Sequence, residues 1–490
     1  MINDLEKLTT SLPWLLIVLG IALAMVMIFF VSVDLGSRSG AEWMGAFFVG
    51  VPLSLAASVI ITKRDLSLGE GSVFRPDIAD ISSGNWVSRG ITLVCVAIAI
   101  ERLVRFIVRR EYRDARGLGV VILLLIFIGT VNMLAAFFGT PGGFSHHLLY
   151  APIVALAVFS YAQRRSSECI VIVRNTLFVF LLSSLLLLLA RPEMVAETRY
   201  RAGIFPGLTV RFYGFATHPN TLAPLCLLLA CSIRLQPFKV SVINVVGQAL
   251  VFSSLVLTQS KTSIALVLLG VAWFGLRDWH MAAVSKDDLR QWQARATTSV
   301  FLISGLAGSI FIAILLKDSS FFDGVMRLAD RIQLGTLTGR TNIWAETFRA
   351  ASNNWIFGYG PGLWDLAFRI KVGLPFTHAH NQFIHVFGAA GVVGLIALLA
   401  YLVALARFSW HTRTASKDVS LVLFMYLLLR GFTELPMNIS NAMQGEFIVQ
   451  LFLLVVCIGS VQIGVARVAA SGPKIRDVER KPKSGTGVLV

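Results

Sequence analysis

Two histidines, an asparagine and a glutamine stand directly before an apolar run of the sequence, in the segment Thr377–Gln382. A neutral imidazole near pH 7 takes protons from hydroxyl groups, which makes His380 a candidate general base. His378 and Asn381 flank it and are candidate supporting residues at the mouth of the following helix. A lone histidine at such a position is usually structural, so the functional interpretation needs further chemical groups nearby.

Positively charged residues in three other segments supply such groups: Arg211, Lys261 and Arg340. Arg340 lies at the predicted start of a helix, where backbone N–H groups and a guanidinium together suit a phosphate. Lys261 lies between two apolar runs, where a cation is costly unless it faces protein, water or an anion. The structural alternatives are an interfacial helix whose arginine pairs with lipid headgroups, and a lysine that extends its amine towards them.

Four further polar residues are candidate supporting residues because they lie where apolar runs begin or end. His218 and Asn220 come just before and at the start of such a run. Tyr359 lies in a glycine-rich turn, whose backbone can approach a ligand closely. Glu434 follows Arg430 by four residues, and a helical pair at this spacing can also be purely structural.

The composition determines which elements must position these residues. Of 490 residues, 56% are hydrophobic and 14% are charged, whereas soluble domains are about a quarter charged. The apolar residues come in blocks near the length of a membrane-spanning helix, roughly 20 residues. The sequence therefore predicts an all-α, polytopic transmembrane bundle with about 13 spans, between 12 and 14. The five cysteines lie inside apolar blocks and are predicted to be small buried hydrophobes.

The net charge of +16 is spread over short loops. Lysine and arginine retained on the cytoplasmic side explain much of it, and the spans exclude a soluble nucleic-acid-binding protein. We predict N-terminal transmembrane helices in 1–190, central helices with basic outer segments in 191–316, an outer loop with short helices in 317–379, C-terminal helices in 380–466, and a disordered basic cytoplasmic tail in 467–490. Because successive loops between spans alternate between the two sides of the membrane, this order of spans places 63–86 outside, despite its basic residues.

Four of these elements, in order, resemble the O-antigen ligase and Wzy-type polymerase superfamily. The most specific is His380-Asn381, nine residues, and then Gly391-x-x-Gly394. Gly339-Arg340-x-x-x-Trp344, Gly358-x-Gly360, and His218-Pro219-Asn220 behind Arg211 also match. The resemblance covers roughly Arg211 to Phe447. Ser260-Lys261-Thr262 is similar to the exopolysaccharide-polymerase (ExoQ-like) branch.

This resemblance implies a membrane glycosyltransferase of the GT-C type that works without a metal or other cofactor. The implied donor is a glycan on undecaprenyl diphosphate, and the implied site faces the periplasm of a bacterial inner membrane. His380 would be the base, and Arg211 and Arg340 would hold the diphosphate. Lys261 stands where relatives often have arginine, and it lacks the bidentate fork of a guanidinium. The implied partners are a glycan acceptor and the lipid bilayer, with a chain-length regulator and a flippase as further candidates.

Three functions remain open on the sequence. A polymerase would join lipid-diphosphate-linked repeat units, and Leu395 favours it because ligases can have threonine after the Gly-x-x-Gly. A ligase of the same superfamily would transfer the finished glycan to a lipid or protein acceptor. A polysaccharide transporter or flippase would place charged residues near the midplane of broken helices and often shows inverted repeats; we find no such repeat in the sequence.

Overall fold

The computed structural model describes residues 43–62, 64–66, 86–200, 208–284, 340–373, 376–437, 439 and 445–470; the side chains of 280–284, 340–341, 445 and 464–470 lie outside this description. In these ranges the chain is almost entirely helical, apart from one two-stranded antiparallel sheet. This confirms the predicted all-α fold class. The predicted spans Leu12–Val33 and Thr298–Leu316, and much of the loop 317–379, lie outside the described residues.

The longer described helices are α1 (Gly45–Ile61), α2 (Trp86–Val108), α3 (Leu118–Gly129), α4 (Tyr150–Ala190), α5 (Pro219–Leu235), α6 (Ser241–Thr258), α7 (Lys261–Val284), α8 (Arg340–Ser352), α9 (Leu366–Val372), α10 (Gln382–Thr412), α11 (Val419–Arg430) and α12 (Gly445–Ala470). Short helical turns are Glu111–Asp114, Thr130–Leu134, Ala135–Phe138, His146–Leu149 and Pro192–Val195, and the strands are β1 (Ala196–Glu197) and β2 (Arg211–Phe212). Helix α12 extends four residues past the predicted boundary at 466.

Many of these helices have the length and composition needed to cross a membrane. In the described ranges six stretches qualify: Leu118–Phe138, His146–Ala190, Ser241–Thr258, Lys261–Trp279, Gln382–Thr412 and Glu446–Ile463. Gly45–Ile61, Pro219–Leu235 and Val419–Arg430 are shorter apolar helices. A helix satisfies its own backbone hydrogen bonds, which hydrocarbon cannot do. The five cysteines are free and buried, as predicted.

Helix α4 consists of two arms that meet at Arg165, whose backbone angles (φ −130°, ψ 32°) are not helical. Its 41 residues would extend about 60 Å as one straight helix, twice the thickness of a bilayer core. Before the break Gln163 contacts Arg116, whereas Leu148, at the start of the first arm, contacts Asn132 near the opposite end of α3. The sequence predicted two spans here, Leu148–Ala162 and Cys169–Ala190, and the break lies between them.

One end of the bundle gathers the loops predicted to be cytoplasmic. Arg164 forms an ion pair with Glu111 (3.1 Å), and Lys417 donates to the carbonyl of Arg234 (3.2 Å). The loop after α5 is linked to the break in α4, because Gln236 donates to Ser167 (2.9 Å). These contacts show that the loops lie on one side of the bundle, as the alternation of spans requires.

Candidate functional site

The start of helix α10 is fixed to the turn that follows helix α11. Asn381 is the N-cap of α10, and its side-chain oxygen accepts hydrogen bonds from the N–H groups of Phe383 (3.0 Å) and Ile384 (3.1 Å). The N–H of Gln382 donates to the carbonyl of Gly431 (2.7 Å), and its side-chain oxygen accepts from the N–H of Met437 (3.0 Å). These bonds bring the histidine segment against the turn that carries Glu434.

His378, His380 and Glu434 form a compact cluster at this junction. His378 Nε2 lies 3.2 Å and His380 Nδ1 lies 3.1 Å from the same carboxylate oxygen, Glu434 Oε2. The two imidazole rings are 4.0 Å apart between centroids. His380 has a left-handed backbone conformation (φ 49°), which residues other than glycine adopt uncommonly and often at functional sites. Because Nδ1 of His380 contacts the carboxylate, the other ring nitrogen, Nε2, can bind a proton from another molecule.

The Glu434 side chain is nearly buried, with 7% of its surface exposed. Burial alone would raise the pKa of its carboxyl, but hydrogen bonds from His378 and His380 and the nearby guanidinium of Arg430 hold the pKa well below its usual range. The ionised carboxylate favours the tautomer of His380 that carries its proton on Nδ1. The arrangement therefore leaves Nε2 as a proton acceptor.

The other oxygen of Glu434 connects the cluster to helices α5 and α7. Asn220 donates its side-chain N–H to Glu434 Oε1 (2.9 Å), and Ser260 donates its hydroxyl to the side-chain oxygen of Asn220 (2.8 Å). His218 caps α5: its Nδ1 accepts from the N–H of Asn220 (3.1 Å). Both His218 and Asn220 were predicted to be supporting residues. Asn220 contacts the cluster, whereas His218 caps helix α5.

A buried ion pair holds these helices beneath the cluster. Arg430, which is fully buried, binds the Glu446 carboxylate (2.7 Å), and it also donates to the hydroxyl of Ser263 and the carbonyl of Asn220. The sequence suggested Glu434 as the carboxylate paired with Arg430. Instead the ion pair is with Glu446, while Glu434 faces the histidines.

The basic residues Arg211 and Lys261 lie in segments that meet at the same end of the bundle. The side chain of Gln259 joins their two segments, because it donates to the carbonyls of Leu208 (3.0 Å) and Val210 (2.6 Å), directly before Arg211. The Arg211 guanidinium lies 4.6 Å from the centre of the Tyr200 ring. Because Lys261 follows Ser260, this basic pair adjoins the hydrogen-bonded chain that leads to Glu434.

Arg64 is a member of this region that sequence reasoning missed. Its guanidinium lies 5.7 Å from the Tyr213 ring centre and donates to the carbonyls of Met194 (2.8 Å) and Ala216 (2.6 Å). Burial lowers the pKa of Arg64 to about 10, while the nearby Tyr213 opposes the shift. Its position after a predicted span was the only available signal. These contacts place the segment around residue 64 on the same side as 191–219, as the alternation of spans predicted.

Arg340 and Tyr359 belong to the segment that precedes the histidines. Arg340 begins helix α8, as predicted, and its side chain lies outside the described residues. The start of α8 approaches the histidine segment because Trp344 donates its indole N–H to the carbonyl of Ala379 (2.9 Å). Tyr359 packs edge-on against Phe368 (4.8 Å between ring centres), which gives it a place in the packing of the loop.

The two glycine motifs fit into each other. Helix α10 is interrupted at Gly391 (φ 60°, ψ −158°), and a Cβ there would overlap the carbonyl of Ile356. At the interruption, Val392 and Val393 donate to the carbonyls of Trp355 and Ile356. The N–H of Tyr359 donates to the carbonyl of Gly388 (2.8 Å). The closely packed neighbour of the helix at Gly391 is therefore the backbone of this loop.

The fold and this arrangement define a multi-pass helical membrane protein whose imidazole–carboxylate cluster and basic residues lie at one end of the bundle. Residues 247–399, which are 153 of the 490, match a family model described as O-antigen ligase (Wzy_C). The match confirms the predicted resemblance to the O-antigen ligase and Wzy-type superfamily and implies a ligase-like or polymerase-like enzyme that transfers glycans. It includes Lys261, Arg340 and His380, and excludes Arg211 and Glu434. A comparison with curated proteins finds no match.

Proposed function

We propose that this protein polymerises oligosaccharide repeat units carried on a lipid diphosphate, on the periplasmic face of a bacterial inner membrane. The observation that carries the proposal is the contact between His380 Nδ1 and Glu434 Oε2 at 3.1 Å. This contact leaves Nε2 available to an acceptor hydroxyl, and the basic residues lie at the same end of the bundle. The donor class and the undecaprenyl carrier are taken from the family resemblance.

In this mechanism the acceptor sugar hydroxyl gives its proton to His380 Nε2 as its oxygen attacks the anomeric carbon of the donor. The bond between that carbon and the diphosphate oxygen breaks at the same time, and the lipid diphosphate leaves with the bonding electrons. Glu434 stabilises the imidazolium that forms. Asn220 orients Glu434 through the hydrogen bond at its second oxygen.

Negative charge grows on the departing diphosphate, and fixed cations stabilise it without reorganisation during the reaction. Arg211, Lys261 and Arg340 take this role in the proposal. The segments of Arg211 and Lys261 are joined by the side chain of Gln259, and two cations at one end of the bundle attract a multiply charged anion. With side-chain cations in place, the reaction of a GT-C-type enzyme proceeds without a metal.

The test is complementation of a gene deletion with the His380→Ala variant, followed by analysis of surface and lipid-linked glycans. We expect normal protein levels, no polymer, and accumulation of single repeat units on the lipid carrier. His147→Ala is the matched control, because His147 is a histidine in the exposed helical turn just before α4. A His380→Ala strain with wild-type polymer would remove His380 from the mechanism.

The match to the O-antigen ligase family favours a second candidate, a ligase that transfers finished glycan to a lipid or protein acceptor. The proposed base and cations would serve either reaction, since both break the same diphosphate linkage. The deletion separates them: loss of a polymerase leaves single repeat units, and loss of a ligase leaves long chains on the carrier. Long unattached chains would replace our proposal with the ligase.

The charges in the described helices give less support to a transporter. Glu101 pairs with Arg105 one helical turn away, and Arg174 donates to the carbonyl of Gln236 at the end of α5. Arg102 binds Glu111 (2.6 Å) near the opposite end from the histidine cluster. Each of these charged residues has a partner in the protein, so we interpret them as contacts that hold the helices together.

A further inference from the structure

Three atoms suited to metal binding converge in the histidine cluster: His378 Nε2, His380 Nδ1 and Glu434 Oε2. All three lie within 4.8 Å of one another, and the two nitrogens lie 3.2 and 3.1 Å from the oxygen. Around a tetrahedral zinc ion with bonds of about 2.0–2.1 Å, neighbouring ligand atoms are about 3.3 Å apart. The two nitrogen–oxygen separations are close to this value, and the two nitrogens lie within 4.8 Å of each other, so the three atoms are near the spacing that an ion needs.

Two of the three residues also have the outer hydrogen bonds that orient metal ligands. The Thr377 hydroxyl lies 3.0 Å from His378 Nδ1, which leaves Nε2 of that ring for the ion. Asn220 holds the second oxygen of Glu434 (2.9 Å). Such partners fix the orientation of ligand side chains and change metal affinity by about 10–100-fold when removed. The positive charge of Arg430 next to the cluster is balanced by Glu446 (2.7 Å).

We propose that His378, His380 and Glu434 form a binding site for a divalent transition-metal ion of the zinc class, and that the bound ion switches the enzyme off. Two imidazoles and a carboxylate are a ligand set that zinc and its neighbours accept. The binding does not depend on the proposed function, whereas the inhibition rests on the proposed role of His380 as base.

The inhibition follows from the two nitrogens of one imidazole ring. When Glu434 accepts a hydrogen bond from the protonated Nδ1, Nε2 carries a lone pair and can receive the proton of the acceptor hydroxyl. When a metal ion binds Nδ1, the single ring proton of the neutral imidazole resides on Nε2. His380 then donates at the position where catalysis needs an acceptor. The same side-chain positions therefore allow two states of the enzyme. It is active when Nδ1 carries the proton and inactive when Nδ1 binds the metal ion.

Binding is tested by titrating purified full-length protein, freed of metals with a chelator, with Co²⁺ and recording visible absorption. We expect the intense bands of four-coordinate Co²⁺ at one equivalent, their loss in His378→Ala and in His380→Ala, and their displacement by Zn²⁺. His147→Ala, in the exposed His146–His147 pair, is the matched control and should retain them. Absence of the bands in the wild type, or their persistence in both cluster variants, would overturn the site.

Inhibition is tested with the same protein and a purified lipid-diphosphate-linked repeat unit. We expect Zn²⁺ to reduce polymer formation at least 10-fold and a chelator to restore it. Thr377→Val, measured relative to its own rate without Zn²⁺, should need about 10–100-fold more Zn²⁺ for half-inhibition than the wild type. Metal binding without inhibition would refute the switch and leave the site. Polymer formation by His380→Ala without added metal would refute the proposed function instead.

Discussion

Glu434→Gln is the substitution that tests the imidazole–carboxylate pair most directly. Glutamine has the same shape, but it offers one acceptor oxygen and an NH2 group in place of two acceptors. Asn220 donates to one position, so the glutamine oxygen goes there and its NH2 group faces the histidines. His380 Nδ1 then becomes the acceptor of that NH2 group, and the ring proton moves to Nε2. The variant should fold around the same contacts and present the wrong tautomer.

The size of the effect follows from the distance between His380 Nδ1 and Glu434 Oε2. Unit charges 3.1 Å apart interact by about 5 kcal/mol at an effective dielectric constant of 20. The His380 side chain is 23% exposed, so water screens part of this interaction. A loss of about 3–4 kcal/mol in transition-state stabilisation remains, which corresponds to roughly a 10²–10³-fold slower reaction.

The assay measures initial rates of polymer formation by purified protein in lipid nanodiscs, with a lipid-diphosphate-linked repeat unit as the donor. Glu346→Gln is the matched control: its carboxylate pairs with Arg349 on helix α8, away from the histidine contacts, and it should react at the wild-type rate. A Glu434→Gln enzyme within threefold of the wild-type rate would refute the assignment of Glu434 as the residue that orients His380.

Three further predictions follow from the structure. Arg340→Ala should slow polymer formation by about 10²-fold, since losing one preorganised donor raises the barrier by on the order of 3 kcal/mol; Arg349→Ala on the same helix is the rate control. Gly391→Ala should lower the melting temperature, by a destabilisation on the order of 3 kcal/mol, because its backbone conformation is nearly restricted to glycine, while Gly90→Ala, with open space around it, should not. The lowered pKa of Glu434 stabilises the folded state fully above the unfolded value of about 4.5. The stability advantage of the wild type over Glu434→Gln should therefore be constant above about pH 5 and decline as the pH falls below 4.5, as measured by thermal unfolding in detergent.

The helices themselves were predictable because their signal is local. Apolar runs near the length of a bilayer crossing, and the polar residues between them, locate α3, α6 and α10 without any knowledge of their neighbours. The cap at Asn381 and the helix start at Arg340 also follow from nearby residues. The break at Gly391 was not predicted, because it depends on a loop more than thirty residues away along the chain, whose carbonyls accept hydrogen bonds from Val392 and Val393.

The candidate site shows the same division. His380 was found from its position before an apolar run, and Lys261 from its position between two runs. The partnership of His380 with Glu434 spans 54 residues, and the sequence instead suggested the local Arg430–Glu434 pair. A helical spacing of four residues makes a pair possible, but the Arg430 guanidinium forms its ion pair with Glu446 on α12, at 2.7 Å. Charged residues far apart in the sequence become partners only when their helices pack together. The spacing of residues along one sequence does not show which helices pack together.

The histidine cluster is assembled from residues of separate elements. Glu434 belongs to the turn after α11, Asn220 to α5 and His380 to the segment before α10, so no one element carries both the base and the group that orients it. The left-handed backbone at His380 is maintained because Asn381 and Gln382 fasten the next two residues to α10 and to the 431–437 turn. A donor or acceptor that shifts this turn relative to α10 would change the His380–Glu434 distance directly. In the proposed mechanism, such a change would alter how firmly Glu434 holds the proton on His380 Nδ1, and so how readily Nε2 accepts a proton.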